Sequence, residues 1–305
     1  MHDIPFVDAH VHFWDLARLR YPWLTPPFAD DGPNGSVEAI AQTYLPADYR
    51  RDAARWNVAG VVHVEAGADP AHAAAETTWL EQLDDGPAGI VAYAALNDPD
   101  LEPLLETHRA HGRVRGVRHI VNWHANPQLS YTDREMTDDP AWQHGFALLA
   151  KYGLSFDLQA YPAQFAGLAR TLGRSPDTQV VINHLGMPVI SDPNGRTAWA
   201  KGLRQLADLP NVAIKISGFG FVQRPWTTDE ARPWILEALD LFGTDRACVA
   251  SDFPTDGLFG TFDATLGAYA AILAPFSADE RRALWGGNAN RIYRLGLELK
   301  DRDNG

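Results

Sequence analysis

Eight short runs rich in valine and isoleucine recur along the 305 residues, each separated from the next by a stretch of helical character. They cover residues 4–13, 58–65, 89–96, 114–121, 154–159, 178–184, 212–217 and 247–252. Strands that alternate with helices call for a parallel sheet, and eight is the number that closes a (β/α)8 barrel. Between the runs, residues 71–83 place Ala75, Trp79 and Leu83 at helical spacing, and 142–152 does the same with Phe146, Leu149 and Ala150. Residues 232–242 and 279–285 also read as helices, the second started by Ser277 as N-cap. A doubly wound open sheet is the alternative. It calls for a glycine-rich phosphate loop after the first strand, and Phe13-Trp14-Asp15 is not one.

Neither a linker nor an internal repeat divides the chain, so residues 1–305 are expected to form one domain. Residues 301–305 are expected to be a frayed tail. The net charge of −13 opposes binding to nucleic acid or to an anionic membrane surface. It leaves room for a small anionic substrate, because a few arginines can reverse the field inside a cleft. Cys248 is the single cysteine, so no intrachain disulfide can form. Met-His-Asp leads directly into the first strand without the pattern of a signal peptide, and no apolar run is long enough for a bilayer. A cytoplasmic protein is expected, with a homo-oligomer as one candidate assembly.

Polar groups gather at the C-terminal ends of these apolar runs. Strict alternation puts Asp8, His10 and His12 on one face of the first strand, and His63 and Glu65 on one face of the second. The fourth run carries Arg118, His184 ends the sixth and Asp252 the eighth, and Lys215 and Ser217 lie in the seventh. In a barrel these ends converge on one mouth, where active sites are built. Three long connections, 14–46, 122–139 and 219–229, leave the same end and are candidate lids or substrate walls. Two chemistries suit such a mouth. Imidazoles and carboxylates can hold a divalent ion, commonly zinc, with a position left open. Without metal, Asp252 can take a proton from water while His184 and Arg118 polarise a carbonyl.

The segments Val7-Asp8-Ala9-His10-Val11-His12, Asn183-His184-Leu185-Gly186, Ala250-Ser251-Asp252-Phe253-Pro254 and Gly287-Asn288-Ala289-Asn290-Arg291-Ile292-Tyr293 resemble the amidohydrolase superfamily. More narrowly, they resemble its lactonase-like branch, which includes pyrone-dicarboxylate and sugar-acid lactonases. The resemblance implies a hydrolase with His10, His12, His184 and Asp252 in the site and Asp252 as the base that activates water. It also implies a fifth-strand histidine and a bridging lysine that this chain lacks, since its fifth run reads Phe156-Asp157-Leu158-Gln159. One zinc ion on His10, His12, Glu65 and Asp252, or no metal, is therefore expected rather than a two-metal centre. Glu65 is either a ligand or the partner of a buried cation such as Arg118.

Arg118 and Arg224 are candidate clamps for a substrate carboxylate, since guanidinium meets carboxylate with two prongs. His124, Tyr131 and Lys215 are further candidates for substrate contact. His119 is expected behind its strand, and Arg291 is expected to tie the last helix to the barrel. The expected activity is opening of a small lactone, from a sugar acid or from aromatic degradation. The rivals are a zinc-dependent non-oxidative decarboxylase and a catalytically silent barrel that binds a small acid.

Overall fold

The structure is a computed structural model describing residues 3–302; Met1, His2 and residues 303–305 lie outside it. All eight runs form strands: β1 (Phe6–Val11), β2 (Val58–Val64), β3 (Gly89–Tyr93), β4 (Val114–Arg118), β5 (Ser155–Leu158), β6 (Val180–Ile182), β7 (Val212–Ile216) and β8 (Ala247–Val249). Each pairs in parallel with its sequence neighbour, in the order β1 to β8. The ring closes where the end of β1 meets the segment after β8. There the Asp252 amide donates to His10 O at 2.9 Å and the His12 amide to Phe253 O at 2.8 Å. This is a (β/α)8 barrel, and the closure excludes the open sheet.

The helices are α1 (Pro46–Asp52), α2 (Ala73–Glu81), α3 (Leu101–Arg109), α4 (Pro140–Tyr152), α5 (Phe165–Leu172), α6 (Gly195–Ala207), α7 (Phe219–Val222), α8 (Thr228–Phe242), α9 (Phe262–Leu273), α10 (Ala278–Arg282) and α11 (Asn288–Ile292). Strand side chains such as Phe156, Leu158, Ile182, Ile214 and Val249 point outward into a core shared with Trp142, Phe146 and Trp199 of the helices. Each such side chain contributes roughly 1.5–3 kcal/mol by leaving water. The inward face is smaller: Val7, Ala9, Val62, Val91, Val181 and Ala213 pack there with Ile292 and Tyr293. At the N-terminal end of the barrel, Asn288 donates to Thr244 O and Ala247 O, both at 2.7 Å, and Arg291 reaches Asp245 O. As expected, this ties the last helix to the barrel.

Ser277 caps α10 through a reciprocal box with Glu280. Two helical faces differ from the sequence expectation. In α2 the buried side is Ala73, Glu76, Thr77, Trp79 and Leu80, with Ala75 exposed, because Glu76 turns inward beneath the mouth. In α4 Trp142, Phe146 and Leu149 are buried and Ala150 is exposed. Of the expected tail, Asp301 pairs with Arg282 and the Arg302 amide bonds Asp3 O; residues 303–305 fall outside the described residues. No helix among the described residues is long and apolar enough to cross a membrane.

Candidate active site

The site begins with an irregularity in β1. Asp8 lies opposite Val61 but Val11 lies opposite His63, so β1 carries one more residue than β2 across that interval. A bulge of this kind breaks the two-residue period and turns the following side chains to the other face. Asp8 therefore does not share a face with the histidines. It points outward, accepting from Tyr49 Oη at 2.9 Å and from the Ser251 amide at 2.9 Å. Burial pushes its pKa up to about 6, against the pull of the Ser251 hydrogen bonds. His10 and His12 turn into the mouth.

Asp252 and His184 reach the same point through backbone that most residues avoid. Asp252 has φ 59° and His184 φ 52°, both in the left-handed region. The hydrogen bond from the Asp252 amide to His10 O holds the first in place. The second depends on Gly218, itself at φ 65°, where an added Cβ would lie 2.6 Å from His184 Nδ1. Three imidazoles then face one carboxylate oxygen. Asp252 Oδ1 lies 3.2 Å from His12 Nε2, 3.3 Å from His10 Nε2 and 3.9 Å from His184 Nε2. Asp252 Oδ2 is buried and has no hydrogen-bond partner among the described residues. Burial alone would raise the Asp252 pKa, but the surrounding His184, His12, with its hydrogen bond, and Arg118 outweigh it and hold the group below the ordinary carboxylate range. Burial lowers His184 to about 4 despite the pull of Asp252, so its ring is neutral at neutral pH.

Arg118 does not present a free fork. Its Nε donates to Glu65 Oε1 at 2.6 Å, Nη2 to Glu65 O at 2.6 Å and Nη1 to Gln159 Oε1 at 3.0 Å. Of the two roles open to Glu65, the structure places it as the partner of this buried cation; it is not in the group of candidate metal ligands. Lys215 is a correction of another kind. It is fully buried, paired with Asp157 and placed below the cavity, so it cannot touch substrate. His63 lies behind β2 against Phe13, and His119 lies behind β4, where it accepts from the Leu96 amide.

The mouth opens into a cavity of about 700 Å³, its open entrance included. Arg118, Gln159, His12, His184 and Asp252 form its floor. The three long connections form its wall, with Trp23 and Asn34 from the first, Tyr131 from the second and Phe221 from the third. Tyr131 lines the cavity, its hydroxyl donating to Asn34 Oδ1 at 2.6 Å. His124 and Arg224 do not line it. His124 Nε2 faces both Asp192 oxygens at 3.2 Å, and the Arg224 guanidinium donates to Gly220 O, Asn34 O and Pro33 O, which pins two loops together. Gln159, Trp23, Asn34, Phe221 and Thr255 were not singled out from the sequence. Only Gln159, a polar residue closing an apolar run, carried the signal that marked the others.

His10, His12 and Asp252 bring donor atoms within 4.8 Å of one another, close enough for one ion. Two of the three are arranged as ligands. His12 Nδ1 donates to Val64 O at 2.8 Å, as the second nitrogen of a metal-bound imidazole does, with Nε2 on Asp252 Oδ1 at 3.2 Å, and Asp252 Oδ2 is unengaged. His10 differs, because its Nδ1 faces the Lys215 ammonium at 3.3 Å and its Nε2 the Arg118 guanidinium at 3.4 Å. A catalytic zinc ion takes three protein ligands, and the two cations beside His10 weigh against its serving as the third.

The sequence matches the amidohydrolase family over residues 7–295. It is 40% identical to an uncharacterized protein, y4mH, of Sinorhizobium fredii, an alignment covering 97% of this chain and 100% of that one. It is 27% identical to an L-fucono-1,5-lactonase of Burkholderia multivorans, covering 95% and 96%. Among solved structures, a Burkholderia multivorans amidohydrolase with bound zinc superimposes with a TM-score of 0.80 at 26% identity, covering 95% of this chain and 99% of that one. With a barrel of the right topology and strand-end histidines around one aspartate, the chain belongs to the amidohydrolase family.

Proposed function

We propose that the protein hydrolyses a small uncharged sugar lactone, with Asp252 as the general base. The observation that carries this reading is the pairing of a carboxylate whose Oδ1 faces three imidazoles with an unengaged Oδ2 on the floor of an aromatic-walled cavity. Water held at Oδ2 loses a proton to Asp252 as its oxygen bonds to the lactone carbonyl carbon. The developing oxyanion lies within reach of His184 and of the Arg118 charge. Collapse breaks the bond to the ring oxygen, which takes the proton back from Asp252, and the product is a hydroxy acid that ionises at neutral pH. None of these steps passes through a metal ion.

The wall supports the substrate class. Trp23, Tyr131 and Phe221 offer ring faces to the C–H faces of a sugar, and Asn34, Gln159 and Thr255 offer neutral hydrogen-bonding groups. Arg118 is the one arginine or lysine in the lining, and Glu65 already holds it. A dicarboxylate would find no unengaged guanidinium among these groups. The identity to an L-fucono-1,5-lactonase points the same way. A lactone panel read with a pH indicator, beside a test for carbon dioxide, checks this. Proton release with L-fucono-1,5-lactone or a related sugar lactone is expected. Gas release from an aromatic acid would favour decarboxylation instead, and tight binding of a small acid without turnover would favour a silent barrel. Elemental analysis of the purified protein is expected to show less than one equivalent of zinc.

A further inference from the structure

We infer that the side-chain amide of Gln159 is the donor that receives the lactone carbonyl oxygen, with Arg118 as the positioning residue that aims it. This role presupposes the lactone hydrolysis proposed above and adds an oxyanion contact to it. Gln159 follows β5 and is 4% exposed on the cavity floor. Arg118 Nη1 lies 3.0 Å from one end of its amide. A guanidinium carries donors only, so that end is the oxygen, Oε1, and the NH2 group is at the other end. Nε2 has no hydrogen-bond partner among the described residues, and it is not one of the buried side-chain atoms closed off from solvent. Its N–H groups therefore open into the cavity.

Arg118 is poorly placed to make this contact itself. Its Nε and Nη2 donate to Glu65 Oε1 and Glu65 O, both at 2.6 Å, and its Nη1 stands between Gln159 Oε1 and His10 Nε2, the latter 3.4 Å away. The charge reaches the cavity through the amide instead, because a cation bonded to Oε1 polarises the group and makes its N–H a stronger donor. A glutamate would serve Arg118 as well; only an amide both accepts from Arg118 and donates into the cavity. Placement agrees. In the ring of eight strands β5 lies across from the β1–β8 seam that carries His10, His12 and Asp252. Water can then approach the carbonyl carbon from the Asp252 side while the carbonyl oxygen points to Gln159. As the water oxygen bonds to carbon and its proton passes to Asp252, the C=O π pair moves onto the oxygen that Gln159 holds. No proton leaves Gln159. When the C=O bond re-forms, the ring C–O bond breaks and the ring oxygen takes the proton from Asp252.

The test is steady-state kinetics with two variants on the sugar lactone that wild type opens, L-fucono-1,5-lactone first. Gln159→Glu keeps an oxygen for Arg118 and loses the donor; Gln159→Met loses both. Each is expected to lower kcat by about 10²–10³ with KM within about threefold, since the contact forms fully only in the transition state. If Gln159 only steadied Arg118, Gln159→Glu would keep its activity. A kcat within about threefold of wild type in either folded variant overturns the inference. So does a raised KM with kcat unchanged, the pattern of a donor to a sugar hydroxyl. Wild type inert toward every sugar lactone defeats the lactonase reading and this role with it, whereas an active wild type beside an equally active Gln159→Glu defeats this role alone. Should Gln159→Glu fail to unfold cooperatively in urea, Gln159→Met decides by the same split between kcat and KM.

Discussion

The floor of the cavity and its wall are built on opposite terms. Floor residues come from strand ends, are buried almost completely, and hold one another across the barrel, as Arg118 does with Glu65 and Gln159. Wall residues come from three loops and are half-buried. Trp23 rests on a hydrogen bond to Ala66 O at 2.8 Å and on the ring of Trp14, and Phe221 packs on the rings of His184 and Phe259. The contrast separates two jobs. Groups that must keep their charge state and direction sit where the backbone over-determines them, while groups that judge substrate shape sit where substitution leaves the barrel intact.

Breaking the floor is expected to cost most. Arg118→Met leaves Glu65 buried with the Gly67 amide still bonded to it but no cation, and should lower unfolding free energy by about 3–5 kcal/mol in urea titration. A loss under about 1 kcal/mol would mean the floor is not interlocked as described. Breaking the wall should act on binding instead. Trp23→Leu is expected to raise KM roughly tenfold with kcat within about twofold, the pattern of lost uniform binding. An equal fall in kcat would erase the division of labour.

A pH-dependent effect lies at the joint between the two regions. Glu76 is fully buried beneath the Ala66 turn, whose amide it accepts at 3.4 Å and whose carbonyl holds Trp23. Burial, helped by the charge of Glu65, raises its pKa from 4.5 to about 8. The folded state thus binds more protons there than the unfolded state. Its contribution is complete below pH 4.5 and is lost as pH rises through about 8. Glu76→Gln should flatten the decline in stability between those values, measured by urea unfolding at each end. An unchanged slope would place the proton elsewhere.

Much of the floor was legible in the sequence because it follows from counting strands. Once eight runs close a barrel, His12, Arg118, His184 and Asp252 must meet at one end. What period and spacing cannot show is the bulge that parts Asp8 from His10, since a bulge changes register without a marker in residue type. Nor could they choose between a ligand and a paired role for Glu65, which depends on where Arg118 points. Lys215 illustrates the same limit, for a lysine near a strand end reads as a substrate contact until depth shows it one layer too low. The wall was legible only as three long loops. Which aromatic of each loop faces inward depends on loop packing, which leaves no period to read, so Tyr131 was found and Trp23 and Phe221 were not.

The claim that Asp252 does the chemistry meets its most direct measurement in kcat for lactone opening by Asp252→Asn beside wild type, with urea unfolding of both. The near-isosteric amide is expected to lower kcat by about 10²–10⁴ while unfolding stays cooperative. Turnover close to wild type in a folded Asp252→Asn protein would contradict the account.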